Sequence, residues 1–428
     1  MKWAAASLLL WACLPPRALP PAQPYQLLSA LPRPNPEFLT KQPRSVAIVG
    51  GGLAGCTAAK VLLQQGYKVH IFEQSSAIRC SQPGAIPDFP RHQETCDAYL
   101  ERFCECFGLD ASLHFHCRVL SLHQQEDGSW QLRTSQGHFE SDFLIVAAGF
   151  QPVPTPIQQH AFVYSDAHIP ELQGKEVLLV GSVADSAPVL KRLKQARVTC
   201  VVPDHEEAGL PGLLTTALAH TRLSAFLQRP HNGLSGVVAS TGETLLTWVY
   251  GLAWPDHLPA PLSFTQALAQ VEAGHSLEGA RVLRGSVEVA EACVRVGQSE
   301  VSCDAVVLAR KARPGLGLLP SESDGLYRNT VLPGLRNAAF IGHFRSQEQA
   351  LLSSLQAKWI LDVLRGRVVL PSFEHMKTQP LSWHCPAYEA ADLFLKDCGL
   401  RVYRRCWAAE FLLGISAGSY SEVLTHSR

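Results

Sequence analysis

Gly50, Gly51, Gly52 and Gly55, followed by an acid at Glu73, are the residues whose types and spacing speak most directly of chemistry. The glycines satisfy G-x-G-x-x-G within "SVAIVGGGLAGCTAAKVLLQQGYKVHIFEQ", residues 45–74. Each has a physical task in holding a dinucleotide. Gly50 allows a tight turn out of a strand, Gly52 lets a pyrophosphate approach the backbone, and Gly55 lets the next helix lie close to that strand. The helix opening at Leu53 and Ala54 then aims free amides and the positive end of its dipole at the pyrophosphate. Glu73 falls about 20 residues further on, where an acid accepts hydrogen bonds from ribose hydroxyls. Glu73 with Gln74, in "IFEQ", favours FAD over NAD, and a ribose-binding acid argues against a 2′-phosphate here.

The elements that must position these residues are legible. "SVAIV" is a short β-branched strand, "LAGCTAAKVLLQQG" a helix stopped at Gly66, and "KVHIFE" a second strand. A second run, "KEVLLVGSVADSAPVLKRLKQARVTCVV", repeats strand, turn, helix and strand. Its glycines have eroded: Gly181 remains, but Val183 and Ser186 fill the second and third places. The branched Val183 stands where a pyrophosphate would approach, and Asp204, Glu206 and Glu207 just beyond the strand repel a phosphate. Gly181, Ser182 and Ser186 are the residues left to hold NADPH or NADH.

Further segments carry a family resemblance. They are "PDFP" at 87–90, an amphipathic helix over Tyr99–Leu109, alternating strands around an Asp127–Gly128 turn, "AAG" at 147–149, and "DGLYRNTVLPGLRNAAFIGHFRSQEQALLSSLQAKWILDVLRGRVVLPS" near the carboxyl end. From about residue 45 to 375 the chain resembles the flavin-containing monooxygenases, within the two-dinucleotide-domain flavoproteins. The resemblance implies that Val119 meets the adenine end of FAD and that Ala148 and Gly149 lie beside the flavin. It implies also that Gly342 offers an amide near the ring and that Gln356 belongs to the cofactor set. The expected fold is α/β, a Rossmann-like FAD-binding domain of three layers with a parallel sheet. Residues 45–150 and 311–375 form it, around an inserted smaller NAD(P)-binding-like domain at 151–310.

The implied activity is oxygenation of a small N- or S-nucleophile with NAD(P)H and O₂. The eroded glycine places at Val183 and Ser186 and a shortened interval after Glu73 favour an alternative, an FAD-binding flavoprotein without monooxygenase turnover that has a structural, regulatory or simple reductase or oxidase role. The interval "QSSAIRCSQPGAI" between Glu73 and Pro87 is too short for the family's flavin cover and has neither its GG-x-W element nor its Asn. The second family "ATGY" reads "LARKA". No side chain is assigned as acid, base or nucleophile by spacing alone.

Composition narrows the partners. In 428 residues, Lys plus Arg and Asp plus Glu are 37 each, so no charge draws the chain to nucleic acid or an anionic membrane. The 13 cysteines are scattered, without metal-ligand spacing, and read as small buried hydrophobes, with disulfides open if the chain is secreted. Lys2 precedes an apolar run, Trp3–Leu14, that suits a signal peptide at 1–22 and is too short to span a bilayer. A proline-rich linker follows at 23–44. Entry into the secretory pathway (ER lumen or secreted) is expected, with a bipartite plastid address as alternative. Residues 376–428 form a C-terminal extension of no assigned role, and oligomeric state is left open.

Overall fold

The computed structural model describes residues 37–152 apart from 81–84 and 93, residues 163–164, most of 172–202 and 280–314, scattered positions between 221 and 246, and most of 325–425. The signal-like segment and most of the linker lie outside the described residues.

Strand β1 (Ser45–Val49) runs into helix α1 (Leu53–Leu63) and returns as β2 (Lys68–Phe72). Helix α2 (Cys96–Phe107) is capped by Thr95, whose hydroxyl accepts from the Ala98 amide, and ends at the left-handed Gly108. Then come β3 (Leu113–His114), an antiparallel meander of β4 (Val119–Gln124), β5 (Trp130–Thr134) and β6 (Gly137–Ser141), and β7 (Phe143–Val146). Strands β8 (Phe150–Pro152) and β9 (Val163–Tyr164) lead to the second unit. That unit holds β10 (Glu176–Val180), β11 (Arg197–Val202), β12 (Arg281–Arg284), β13 (Val287–Val289), β14 (Val294–Val296), β15 (Ser299–Val301) and β16 (Ala305–Leu308). The chain returns through β17 (Ala312–Pro314) and β18 (Ala338–Phe340) to α3 (Gln349–Leu364), α4 (Phe373–Lys377), α5 (Ala387–Asp397) and α6 (Ser421–Thr425).

The first sheet has the order β18-β7-β1-β2-β3, all parallel, with Val46 beside both Val69 and Phe143. Its strands read as unbroken apolar runs because both faces are covered. Val46 and Ile48 point into a helical layer with α1 and α3, whereas Ala47 and Val49 point toward the meander, against Trp130 and Leu132. The second sheet, β12-β11-β10-β16-β9, is also parallel, and its own antiparallel meander, β13-β14-β15, packs Val294 and Val296 against Leu178, Val201 and Val306. Both units thus share one plan. They are joined by a two-stranded antiparallel ribbon in which Gln151 faces Arg313.

All sixteen residues of α3 are buried. A helix buried all round needs neighbours on every side; α1 covers one flank and α5 another. Residues 376–428, set apart from the sequence as an extension, instead supply that second cover: Tyr388, Phe394, Leu395, Tyr420 and Val423 belong to the same core as α1. Asp397 fastens it, accepting from Arg328 Nε at 2.9 Å and Trp359 Nε1 at 3.1 Å. Sequence patterning missed this because the partners are 69 and 38 residues from Asp397. The described cysteines are free thiols, and Cys56 on α1 meets Cys104 on α2 at 3.5 Å. Among the described residues no helix is long and apolar enough to cross a membrane.

Candidate dinucleotide site

The glycine turn joins the carboxyl end of β1 to the head of α1. Gly50 has φ +108°, and its amide donates to the Phe72 carbonyl at 2.9 Å. A Cβ at Gly50 would lie 2.5 Å from the Ala147 oxygen, and one at Gly55 only 2.0 Å from the Gly50 oxygen. The protein's own backbone therefore demands glycine at both places. Gly52 is different. Its φ of −76° and ψ of −175° suit any residue, and an added Cβ would meet only the Arg79 carbonyl, at 3.7 Å. Nothing among the described residues requires glycine there. The bare position keeps the head of α1 open, and this arrangement fits a diphosphate lying against the backbone amides.

Glu73 is half-buried at the end of β2. Its Oε2 accepts from the Gly51 amide at 2.8 Å, and its Oε1 from the Ser75 amide at 2.8 Å and the Ser75 hydroxyl at 2.6 Å. A carboxylate has about four lone-pair sites, so acceptor capacity remains for ribose hydroxyls. The same carboxylate ties the turn to the segment after β2, which crosses the turn where the Arg79 carbonyl faces Gly52. Gln74 is exposed. Val119 is buried among Val49, Phe72 and their neighbours. Ala148 and Gly149 follow Ala147, whose carbonyl abuts Gly50, so these candidates gather at the carboxyl ends of β1, β2 and β7. In open parallel sheets this edge is where ligands bind.

The second approach comes from the far end of the chain. Gly342, at φ +85°, brings β18 so close to α1 that an added Cβ would lie 2.6 Å from Ala54 Cβ. Its amide, expected to face the flavin, donates instead to Gln356 Oε1 at 3.0 Å. Gln356 is fully buried and donates in turn to the Asn329 carbonyl at 2.8 Å and Thr330 Oγ1 at 3.0 Å. Expected at the cofactor, Gln356 holds the Gly342 turn from within the core. His343 is fully buried beside the turn, and burial pushes its imidazole down to about 4, so it is neutral at ordinary pH. Burial likewise raises the Glu348 carboxyl at the head of α3.

Three supports lacked an obvious sequence signal. Lys60, on the buried face of α1, pairs with Asp88 of the "PDFP" segment and lies 4.4 Å from the Phe107 ring. A lysine inside the apolar run "AAKVLL" was the one clue. Tyr99 Oη accepts from the Ile86 amide and donates to the Phe89 carbonyl, both at 2.8 Å, which fixes the same segment to α2. Asn337 side-chain nitrogen donates to Thr40 Oγ1 at 2.7 Å and the Gly128 carbonyl at 2.8 Å, binding three remote stretches together.

In the second unit the Gly181 amide donates to the Val201 carbonyl at 3.1 Å, the counterpart of Gly50 on Phe72. Ser186 occupies the place of Gly55, is fully buried, and its hydroxyl has no partner among the described residues. At the matching place in the first turn, a Cβ on Gly55 would lie 2.0 Å from the Gly50 carbonyl oxygen. Ser182, Val183, Asp204, Glu206 and Glu207 lie outside the described residues. Among those described, no group of His, Cys, Asp and Glu could hold a metal ion.

Comparison with known proteins agrees with this architecture. Residues 44–202 match the family model described as pyridine nucleotide-disulphide oxidoreductase. The ferredoxin–NADP reductase of Paraburkholderia xenovorans is 29% identical over 198 residues, 42% of this chain and 54% of that protein. Cinnamate reductase of Clostridium sporogenes is 25% identical over 145 residues, 33% and 20% of the two chains. The chain thus spans about half or less of the length of these curated relatives. Among solved structures, Tmm of Pelagibacter sp. strain HTCC7211 superposes with a TM-score of 0.53 at 12% identity, covering 89% of each chain. The S-allyl-L-cysteine S-oxygenase of Allium sativum gives 0.51 at 15% identity, covering 90% and 95%. Cyclohexanone monooxygenase of Rhodococcus sp. Phi1, bound to NADP⁺, gives 0.50 at 13%, covering 89% and 96%. The chain shares the overall fold of these solved structures, as the "PDFP" segment and the closing helix led one to expect.

Proposed function

We propose that this protein is an FAD-dependent oxidoreductase that takes electrons from a nicotinamide nucleotide and oxygenates a small molecule at a soft nitrogen or sulfur. The observation that carries the cofactor is Gly52, a glycine that neither backbone conformation nor packing demands, at the head of a helix beside a ribose-type acid. The oxygenation is supported by fold likeness to the S-allyl-L-cysteine S-oxygenase of Allium sativum and the cyclohexanone monooxygenase of Rhodococcus sp. Phi1. FAD, when bound, supplies the electron transfer and the activation of O₂.

The chain's residues hold and orient. The amides at the head of α1 receive the diphosphate, Glu73 receives the ribose, and the turns at Ala148–Gly149 and Gly342 close on the flavin side. Neutral His343, fully buried beside the Gly342 turn, adds no charge at that end.

A second reading, a flavoprotein without oxygenase turnover, is favoured by Ser186 in the third-glycine place of the second turn. One experiment separates the two: record the flavin spectrum of the purified protein, then add NADPH or NADH without oxygen. Bleaching followed by oxygen-dependent consumption of a small amine or thioether supports oxygenation; retained flavin that neither nucleotide bleaches sinks it. The run Trp3–Leu14 behind Lys2 supports entry into the secretory pathway, tested by whether residues 1–44 carry a reporter into the ER lumen.

A further inference from the structure

Two buried side-chain oxygens near the Gly342 turn, one on Gln349 and one on Ser353, have no hydrogen-bond partner among the described residues. Gln349 opens α3 and Ser353 lies one turn later, an i, i+4 pair on one helix face. Gln349 is 4% exposed and Ser353 not at all, yet Gln349 Oε1 and Ser353 Oγ have no hydrogen-bond partner among the described residues. Buried polar groups are nearly always bonded, so each exception needs a cause. Serine and threonine on buried helices here satisfy themselves on the carbonyl one turn back: Ser354 donates to Ala350 at 2.8 Å and Thr57 to Leu53 at 2.7 Å. Ser353 does not do so; its hydroxyl is held off its own helix.

Their place is as telling. A Cβ at Gly342 would lie 3.4 Å from Gln349 Nε2, 3.8 Å from Ser353 Oγ and 2.6 Å from Ala54 Cβ. The pair therefore sits where the heads of α1 and α3 converge, next to the turn suited to a diphosphate. We propose that Gln349 and Ser353 bind the flavin half of the cofactor, its ribityl hydroxyls and the imide edge of its ring. This rests on the FAD reading above. The chemistry matches: an amide oxygen only accepts, a hydroxyl donates and accepts, and the flavin half carries O–H and N–H donors beside carbonyl acceptors.

The test titrates flavin-free protein with FAD and with ADP, which has the adenine, ribose and diphosphate but no flavin. Ser353→Ala and the near-isosteric Gln349→Met should each raise the FAD Kd about 3- to 10-fold and leave the ADP Kd unchanged. The flavin-free variants should melt no lower than the parent, because an orphaned group has been removed, and FAD should raise their Tm less. The proposal is overturned if both variants keep the parent's FAD Kd, or if FAD and ADP weaken by the same factor, which marks a general disturbance of the fold. A parent protein that binds neither FAD nor ADP would sink the cofactor reading itself, and this proposal with it.

Discussion

A methyl group added at Gly52 would meet one carbonyl at ordinary contact distance, whereas one added at Gly55 would lie 2.0 Å from the Gly50 oxygen. Gly52→Ala should therefore leave unfolding in urea within about 0.5 kcal/mol of the parent while weakening both FAD and ADP at least tenfold in a fluorescence titration. Gly55→Ala should cost about 3 kcal/mol of stability through overpacking against backbone. His343 adds a pH dependence. Its folded value of about 4 lies below the ordinary 6.5, so between those values the unfolded chain binds more protons. Stability is full above pH 6.5 and falls toward pH 4, by on the order of 3 kcal/mol. Urea midpoints at pH 7 and 4.5 should separate in the parent and draw together in His343→Asn. At this scale the glycines and Glu73 were readable because a contiguous motif states its own geometry. Gln356 was not, because its partners, Gly342, Asn329 and Thr330, are joined to it only by folding.

Between elements, the buried ion pair Lys60–Asp88 and the two-way bond of Tyr99 hold the "PDFP" segment between α1 and α2. Removing one partner of a buried pair strands the other charge. Lys60→Met and Asp88→Leu should each cost about 3 to 5 kcal/mol, and the double variant should cost much less than their sum. A double-mutant cycle in guanidinium measures this, and additive losses would refute the pairing. Asp397→Ala should cost about 3 kcal/mol by leaving Arg328 and the Trp359 N–H unsatisfied, read as a lowered Tm. The helices and strands flanking the first turn were legible from periodicity and caps. The clasp by α5 was not, since "AYEAADLFLKD" shows an amphipathic helix but not which surface it seeks.

Across the whole molecule the sequence disclosed one intact and one eroded copy of a single plan, and the structure repeats that plan down to the meander on each parallel sheet. What stayed hidden was the share of the first unit's core supplied from beyond residue 375, by Tyr388, Phe394, Leu395, Tyr420 and Val423. A chain ending at residue 375 lacks α5 and α6, which bare the outer flank of α3. Such a chain should be recovered in the insoluble fraction, whereas the full chain remains in solution after centrifugation.

The sheet order β18-β7-β1 also fixes a timetable for the ribosome. When β7 emerges, the strand that must lie beside it has yet to be translated, and α1 has no α3 to cover it. At about 5 to 20 residues per second, close to two hundred further residues occupy roughly 10 to 40 seconds. Throughout that wait the nascent chain shows a bare parallel edge and an uncovered apolar helix, an invitation to chaperones that hold exposed strands. The second unit can close during the same interval, so the part made first is the part finished last.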